Sequence, residues 1–261
     1  MGYIDLRIAV KIKNFIPLSR FLKIMQIFLL QTINKEEAWL DEQESRHCIK
    51  VLRHKAGDEI HCIDGKGNMY VCRIEEANPK ACSLQILSKV PEWGEKQGRI
   101  TLAISPLRLK DRFEWALEKA VELGVDQIQP IICKRTDQYK SKLKRARLET
   151  LLITASKQCK RSRIPDLLET LSFSDFVEQE NFATSLMAFC ESEDLIQRHA
   201  EEIKKSEDIC LIIGPEGDFS PEECEKAKKK GIPLISLGES RLRTETAAIY
   251  GLSSLKHIRA Y

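Results

Sequence analysis

The sequence predicts a two-domain protein of the α/β class. A small N-terminal β-barrel-like module precedes a parallel sheet covered on both faces by helices. Three observations predict it. The 261 residues exceed the roughly 150 of a typical domain. From Met25 to about residue 90 the chain alternates with the period of two that marks strands. From about residue 99 strand-like and helix-like segments follow each other in turn, as in consecutive βαβ units. A hydrophobic content of 43% with 31% charge excludes a generally disordered chain.

In the first part, a short helix is expected at about 42–52, where His47, Val51 and Leu52 approach helical spacing. Residues 60–74 read as two strands around Asp64-Gly65-Lys66-Gly67, a hairpin signal that also accounts for the Gly-x-Gly without any nucleotide. Ala81–Leu87 alternates again. Pro91–Gly98, rich in Pro, Gly and charge, marks a linker. The expected boundaries are an unassigned extension at 1–24, a first domain at 25–91, a linker at 92–98 and a second domain at 99–261. Residues 1–24 carry no clean period and are expected to be dispensable.

In the second part, strands are expected at Ile100–Pro106, Gln127–Cys133, Phe182–Cys190, Ile209–Ile213 and Pro233–Leu237. Helices are expected at Asp111–Leu123, Leu143–Cys159, 193–205, Pro221–Lys230 and Thr244–Arg259. The last keeps apolar residues on more than one side (Ala247, Ala248, Ile249, Leu252, Leu255, Ile258), which suggests a homodimer.

Nine cysteines, odd in number and scattered, with no C-x-x-C, argue against a disulfide framework or a cysteine-based zinc site and suit a reducing cytoplasm. The five histidines form no H-E-x-x-H, so no metal is expected. No apolar run reaches the ~18 residues of a membrane span. Leu18–Leu30 is interrupted by Arg20, Lys23 and Gln26 and lacks a small-residue cleavage site, and position 6 is Leu, which fails the myristoylation pattern.

The net charge of +3 conceals an asymmetry. Residues 134–163 carry eleven Lys and Arg against two acids, so that window is +9 and the rest of the chain −6. Charge alone leaves two readings open: a polyanion-binding surface, or a solvated helix face.

Two segments carry chemistry. Leu211–Glu223 runs from a buried strand through Gly214-Pro215-Glu216-Gly217 into a helix. Ser220, Pro221 and Glu223 form a complete N-terminal capping pattern, so the glycines are more than the cap needs. Glycines at a strand's carboxyl end let a ligand approach the backbone, and there open α/β sheets bind ligands. The spacing fits neither the P-loop nor the dinucleotide fingerprint. Leu234–Ala248 repeats the design, with Gly238 at the turn and Arg241, Arg243, Thr244, Glu245 and Thr246 crowding it.

The run G-P-E-G-D-F-S-P-E-E at 214–223, followed by L-G-E-S-R-L-R-T-E-T-A at 237–247, resembles the RsmE family of 16S ribosomal RNA methyltransferases in the SPOUT superfamily. Asp111–Val125 resembles the family's first helix, Ser156–Pro165 its basic, proline-ended segment, and His47–Asp58 its N-terminal PUA-like RNA-binding domain. The resemblance runs from about Met25 to Tyr261, and residues 1–24 have no counterpart in it. The family's loop more often reads Gly-Gly where this chain has Gly217-Asp218, and Asp tolerates left-handed backbone better than most residues.

The resemblance implies a PUA-like barrel and a SPOUT α/β trefoil-knot domain, the knot resting on the family alone. It implies methyl transfer from S-adenosylmethionine to ring N-3 of a uridine in the decoding region of 16S rRNA, on the assembled small ribosomal subunit. The alternatives are another SPOUT RNA methyltransferase with a different target and a non-enzymatic RNA-binding protein. By the resemblance, Ile213, Gly214, Pro215, Glu216, Gly217, Leu237, Gly238 and Leu242 would line the adenosyl pocket, and Thr244, Thr246 and Ala247 would close it. Because N-3 is protonated at neutral pH, Glu245 is a candidate proton acceptor and Arg243 a candidate stabiliser of the uracil oxyanion. Arg53, Arg108, Lys110, Arg112, Lys160, Arg161 and Arg163 are the candidates for RNA phosphates.

Overall fold

The computed structural model describes residues 25–95, 98–136, 143–179 and 181–260. The 1–24 extension and the middle of the basic window lie outside the described residues. The described residues divide into two compact units, those of 25–63 with 70–89 and those of 64–69 with 90–260.

The first unit is a closed five-stranded barrel built from β1 (Ile27–Asn34), β2 (Glu37–Leu40), β3 (Glu59–Ile63), β4 (Asn68–Glu76) and β5 (Ser83–Pro91) in the order β1-β2-β5-β4-β3. Parallel pairing of Ile27, Phe28 and Leu29 with His61, Cys62 and Ile63 closes the ring. The expected helix is α1 (Glu42–Arg46) running into a wide turn at His47–Val51. Asp41 caps it, its Oδ1 accepting from Glu44 N at 2.7 Å. Phe28, Leu40, Ile74 and Leu84 fill the interior with Cys48, Cys62, Cys72 and Cys82, each cysteine fully buried. Their burial makes these sulfurs small apolar fillers of the barrel, and burial pushes the Cys62 thiol up.

The second unit holds a seven-stranded sheet. Its strands are β6 (Arg99–Ile104), β7 (Gln127–Ile132), β8 (Asp166–Leu167), β9 (Leu171–Ser172), β10 (Thr184–Ala188), β11 (Asp208–Ile213) and β12 (Leu234–Ile235). The order is β12-β10-β11-β6-β7-β8, with β9 also on β7, and β10–β12, β10–β11, β11–β6, β6–β7, β7–β8 and β7–β9 pair in parallel. The helices are α2 (Lys110–Glu122), α3 (Arg145–Gln158), α4 (Phe173–Gln179), α5 (Ala200–Lys205), α6 (Pro221–Lys229) and α7 (Thr244–Ala260). Two helical layers follow from alternation within the strands. Leu211 and Ile213 face the core under α2, α3 and α7, whereas Cys210 and Ile212 face the core under α4 and α6. Gly251 lets α7 lie directly on β11, since a Cβ there would meet Leu211 Cδ2 at 2.7 Å.

Several expectations change. The helix expected at 193–205 is a tight turn at Ile196–His199 and then α5. Helix α4 and strands β8 and β9 were not expected; α4 has only seven residues, although Phe173, Phe176 and Val177 already carry helical spacing. Of the six apolar residues of α7 that suggested a dimer, Ala248, Leu252 and Leu255 are buried in the unit's own core, and Ala247 and Ile258 pack against it.

The stretch expected as a linker is built into the second unit. Glu95 is buried, its Oε2 meeting Arg161 Nη2 at 2.9 Å and its Oε1 accepting from Arg163 N at 2.7 Å. This overturns the expectation that Arg161 binds phosphate. Its side chain is 8% exposed and is consumed by Glu95, by Asp126 Oδ1 at 3.0 Å and by the carbonyl of Val125 at 2.5 Å. A fixed fork of donors fits two carboxylates and the carbonyls at the end of α2. Next to it, Lys160 is exposed with φ of +60°.

Arg161→Ala should lower the unfolding free energy by about 3 kcal/mol or more, the usual cost of stranding buried carboxylates. Lys160→Gly should be neutral or slightly stabilising, because it relieves a left-handed backbone. Urea unfolding of both variants checks the contrast; equal stabilities would deny Arg161 its structural role.

Candidate active site

The carboxyl ends of β10, β11 and β12 open on one edge of the sheet, and the site is made by the three segments that leave them. After β11, Asp218 N donates to Pro215 O at 2.9 Å and closes a turn over 215–218. Gly214 is required there, because a Cβ would stand 2.9 Å from the buried ring of Phe219. The capping pattern forms as expected: Glu223 N donates to Ser220 Oγ at 3.3 Å and Ser220 N to Glu223 Oε2 at 2.8 Å. The Ser220 hydroxyl, the backbone N–H of Glu222 and Lys134 hold the Glu222 carboxyl down to about 2.

After β12, Gly238 takes φ of +119°, and its N–H donates to Ser236 Oγ at 3.2 Å. The chain then reaches α7, where Thr244 Oγ1 donates to Gly214 O at 3.1 Å and ties the second loop to the first. After β10 come Phe189, Cys190 and Glu191, which sequence reasoning missed. They join the site because β10 lies between β11 and β12, an order that local patterns do not reveal.

Together these segments enclose a cavity of about 560 Å³, within the range of small-molecule sites. Ile213, Gly214, Pro215, Glu216 and Gly217 line one side of it, and Leu237, Gly238, Leu242, Thr244 and Ala247 the other. Arg243 also lines it, exposed and without a side-chain partner among the described residues. Two expected residues stand apart. Thr246 is exposed and does not line the cavity. Glu245 is buried and also outside the lining, and its partner is Arg112, at 3.7 Å, rather than Arg243. The first turn of α7 accounts for both, since neighbouring helical residues point about 100° apart.

Arg135, read only as part of the basic window, also faces the cavity. Its Nη1 donates to Gly217 O at 2.8 Å and Phe219 O at 3.2 Å, clamping the glycine loop from outside. Asp218 holds the loop from within, taking Phe219 N at 2.8 Å and Cys190 N at 3.1 Å. Burial first, and then the Asp218 carboxylate, push the Cys190 thiol up.

Within the second unit the expected phosphate-binding residues do not form one surface. Arg108, Lys110 and Arg112 are exposed where β6 leaves the sheet, on the cavity edge. Arg161 and Arg163 belong to the opposite edge, where Arg163 pairs with Glu92 at 3.1 Å. Arg53 is exposed in the barrel unit at φ of +62°. Among the described residues no group of three or more His, Cys, Asp or Glu is placed to hold a metal, and no helix is long and apolar enough to cross a membrane.

Residues 94–256 match the family model of the RNA methyltransferase domain, and residues 40–87 that of the RNA methyltransferase PUA domain. The chain belongs to the RNA methyltransferase family. It is 32% identical to the ribosomal RNA small subunit methyltransferase E of Mesomycoplasma hyopneumoniae over 78% of this chain and 88% of that protein. The Bacillus subtilis protein of the same name is 27% identical over 82% of this chain and 88% of its own length. The crystal structure of the Neisseria gonorrhoeae protein of that name, bound to S-adenosyl methionine, superposes with a TM-score of 0.79 at 28% identity, covering 90% of this chain and 98% of that one. The fold is therefore the expected one, a PUA-like barrel followed by a SPOUT α/β-knot domain.

In this methyltransferase domain, Gly214→Ala should displace the Phe219 ring and destabilise the unit by about 1–3 kcal/mol, the range for overpacking. Phe219→Leu should recover part of that loss when combined with it. Urea unfolding of the two single variants and the double variant measures the coupling, and strict additivity would show that the glycine is not needed for the ring.

Proposed function

We propose that this chain transfers a methyl group from S-adenosylmethionine to ring N-3 of a uridine in the decoding region of 16S rRNA, on the assembled small ribosomal subunit. The observation that carries the reading is the cavity: two glycine loops and an unpaired arginine meet at the carboxyl ends of parallel strands in a chain of this family. The backbones of Gly214, Gly217 and Gly238 allow the close approach that an adenosyl group needs, and Leu237, Leu242 and Ala247 offer it apolar contact. The sulfonium supplies its own leaving group when bound, so the chain's part is alignment and control of the acceptor's charge.

Arg243 suits that second task. A cationic guanidinium is a poor partner for a sulfonium and a good one for the negative charge that builds on uracil as N-3 loses its proton. Glu245, engaged with Arg112 outside the cavity, is assigned to holding the first turn of α7. The alternative of proton acceptor at N-3 is left to the lining carboxylates Glu191, Glu216 and Glu239. The target base must leave its stack to enter. Arg108, Lys110 and Arg112 lie on the same edge of the sheet and would hold the flanking phosphates. We also infer a homodimer, formed through the outer faces of α2 and α7, where Leu109, Trp115 and Tyr250 stand exposed. The reaction belongs in the cytoplasm, with the ribosomal subunits.

Arg243→Ala should lower single-turnover methylation of small subunits by about 100-fold, the scale of losing one oxyanion donor. Binding of S-adenosylmethionine should stay within a few-fold. The deficit should shrink as pH rises, because uracil then loses its proton without help. Methyl groups found on another nucleotide would favour a different target, and no binding of S-adenosylmethionine would favour a binding protein. In sedimentation, wild type should run as a dimer at micromolar concentration and Trp115→Glu as a monomer; a wild-type monomer with full activity would overturn the dimer.

A further inference from the structure

Asp218 occupies a left-handed backbone conformation, with φ of +62°, that glycine adopts without strain and other residues rarely take. It is the one non-glycine residue of that conformation that lines the cavity among the described residues. Its N–H and both carboxylate oxygens are engaged. The N–H donates to Pro215 O at 2.9 Å, Oδ1 accepts from Phe219 N at 2.8 Å, and Oδ2 accepts from Cys190 N at 3.1 Å.

The bond to Cys190 joins two segments that the sheet no longer holds together. The β10–β11 ladder ends at Ala188 and Ile213. Phe189 N still donates to Ile235 O of β12, as Met187 N does to Pro233 O, whereas the next N–H, that of Cys190, lies beyond the last pair with β11. Nothing else described ties Cys190 N to the glycine loop, and across that gap lies the cavity. The charged acceptor makes the link stronger than a neutral one would. We propose that Asp218 is a positioning residue for methyl-donor binding: its carboxylate pins the segment after β10 to the glycine loop and so fixes the wall formed by Phe189, Cys190 and Glu191.

The backbone and the side chain of Asp218 pull stability in opposite directions, which makes the idea separable from simple folding. Asp218→Gly relaxes the backbone and removes both carboxylate bonds. It should therefore keep or raise the melting temperature while raising KM for S-adenosylmethionine about 10-fold, with kcat within about 3-fold. Asp218→Asn tolerates left-handed backbone and keeps one acceptor, but it cannot accept from both N–H groups. It carries the same expectation for KM and guards against a folding failure of the glycine variant.

A second readout is local. Cys190 is the exposed cysteine of the chain, beside the Asp218 carboxylate that raises its thiol. Alkylation of Cys190 by iodoacetamide at pH 8, followed by peptide mass spectrometry, should be several-fold faster in Asp218→Gly than in wild type. The proposal rests on the reading that the cavity takes S-adenosylmethionine, and wild type tests that reading by itself. If wild type binds the donor and both variants bind it equally, Asp218 is no positioning residue. Unchanged Cys190 alkylation in a folded Asp218→Gly protein would likewise overturn the link.

Discussion

The hydrogen bond from Thr244 to the carbonyl of Gly214 is the joint on which the site depends. It connects the first residue of α7 to the first residue after β11, and so brings together two loops that are 30 residues apart. The joint closes only because α7 lies directly on β11, which Gly251 permits by presenting no side chain to Leu211. A larger residue at 251 would press on Leu211, and any shift of the helix that followed would reach Thr244 and the joint. Packing in the core and geometry at the site are thus one constraint.

The glycine loop is held on both sides by charges that solvent could also reach. Arg135 takes the carbonyls of Gly217 and Phe219, and Asp218 takes the N–H groups of Phe219 and Cys190. A loop with two glycines has much conformational freedom to lose, and side-chain bonds to its backbone reduce what a ligand must order. The same loop starts α6 through its capping box, so one short stretch closes a turn, lines the cavity and begins a helix.

Much of this was legible in the chain. The capping residues Ser220 and Glu223 and the two glycine loops stand out because local backbone chemistry dictates them, and the tolerance of Asp for left-handed backbone anticipated position 218. What was not legible depends on strand order. Phe189–Glu191 joins the site only because β10 lies between β11 and β12, and Arg135 only because the turn after β7 comes up beside the glycine loop. Direction along a helix was a further blind spot: Arg243, Glu245 and Thr246 are near neighbours in sequence, yet of these Arg243 alone faces the cavity.

Charge counting is blind for the same reason. The basic window left two readings open, a polyanion-binding surface or a solvated helix face, and among the described residues its members do different work. Lys134 and Arg135 brace the loop and cap of α6, Arg145 and Arg147 pair with Glu149 and Glu114, and Arg161 is a buried tie among carboxylates and carbonyls. Arg163 faces Glu92 on the edge away from the cavity. On the proposed reading, RNA phosphates pass the cavity edge, where Arg108, Lys110 and Arg112 of the β6–α2 turn are exposed together with Lys134, Arg135 and Arg241. Lys134 and Arg135 belong to the basic window, and the other four lie outside it. Phosphate contacts act over a few ångströms, so each cation counts by the edge of the sheet it occupies rather than by its window in the sequence.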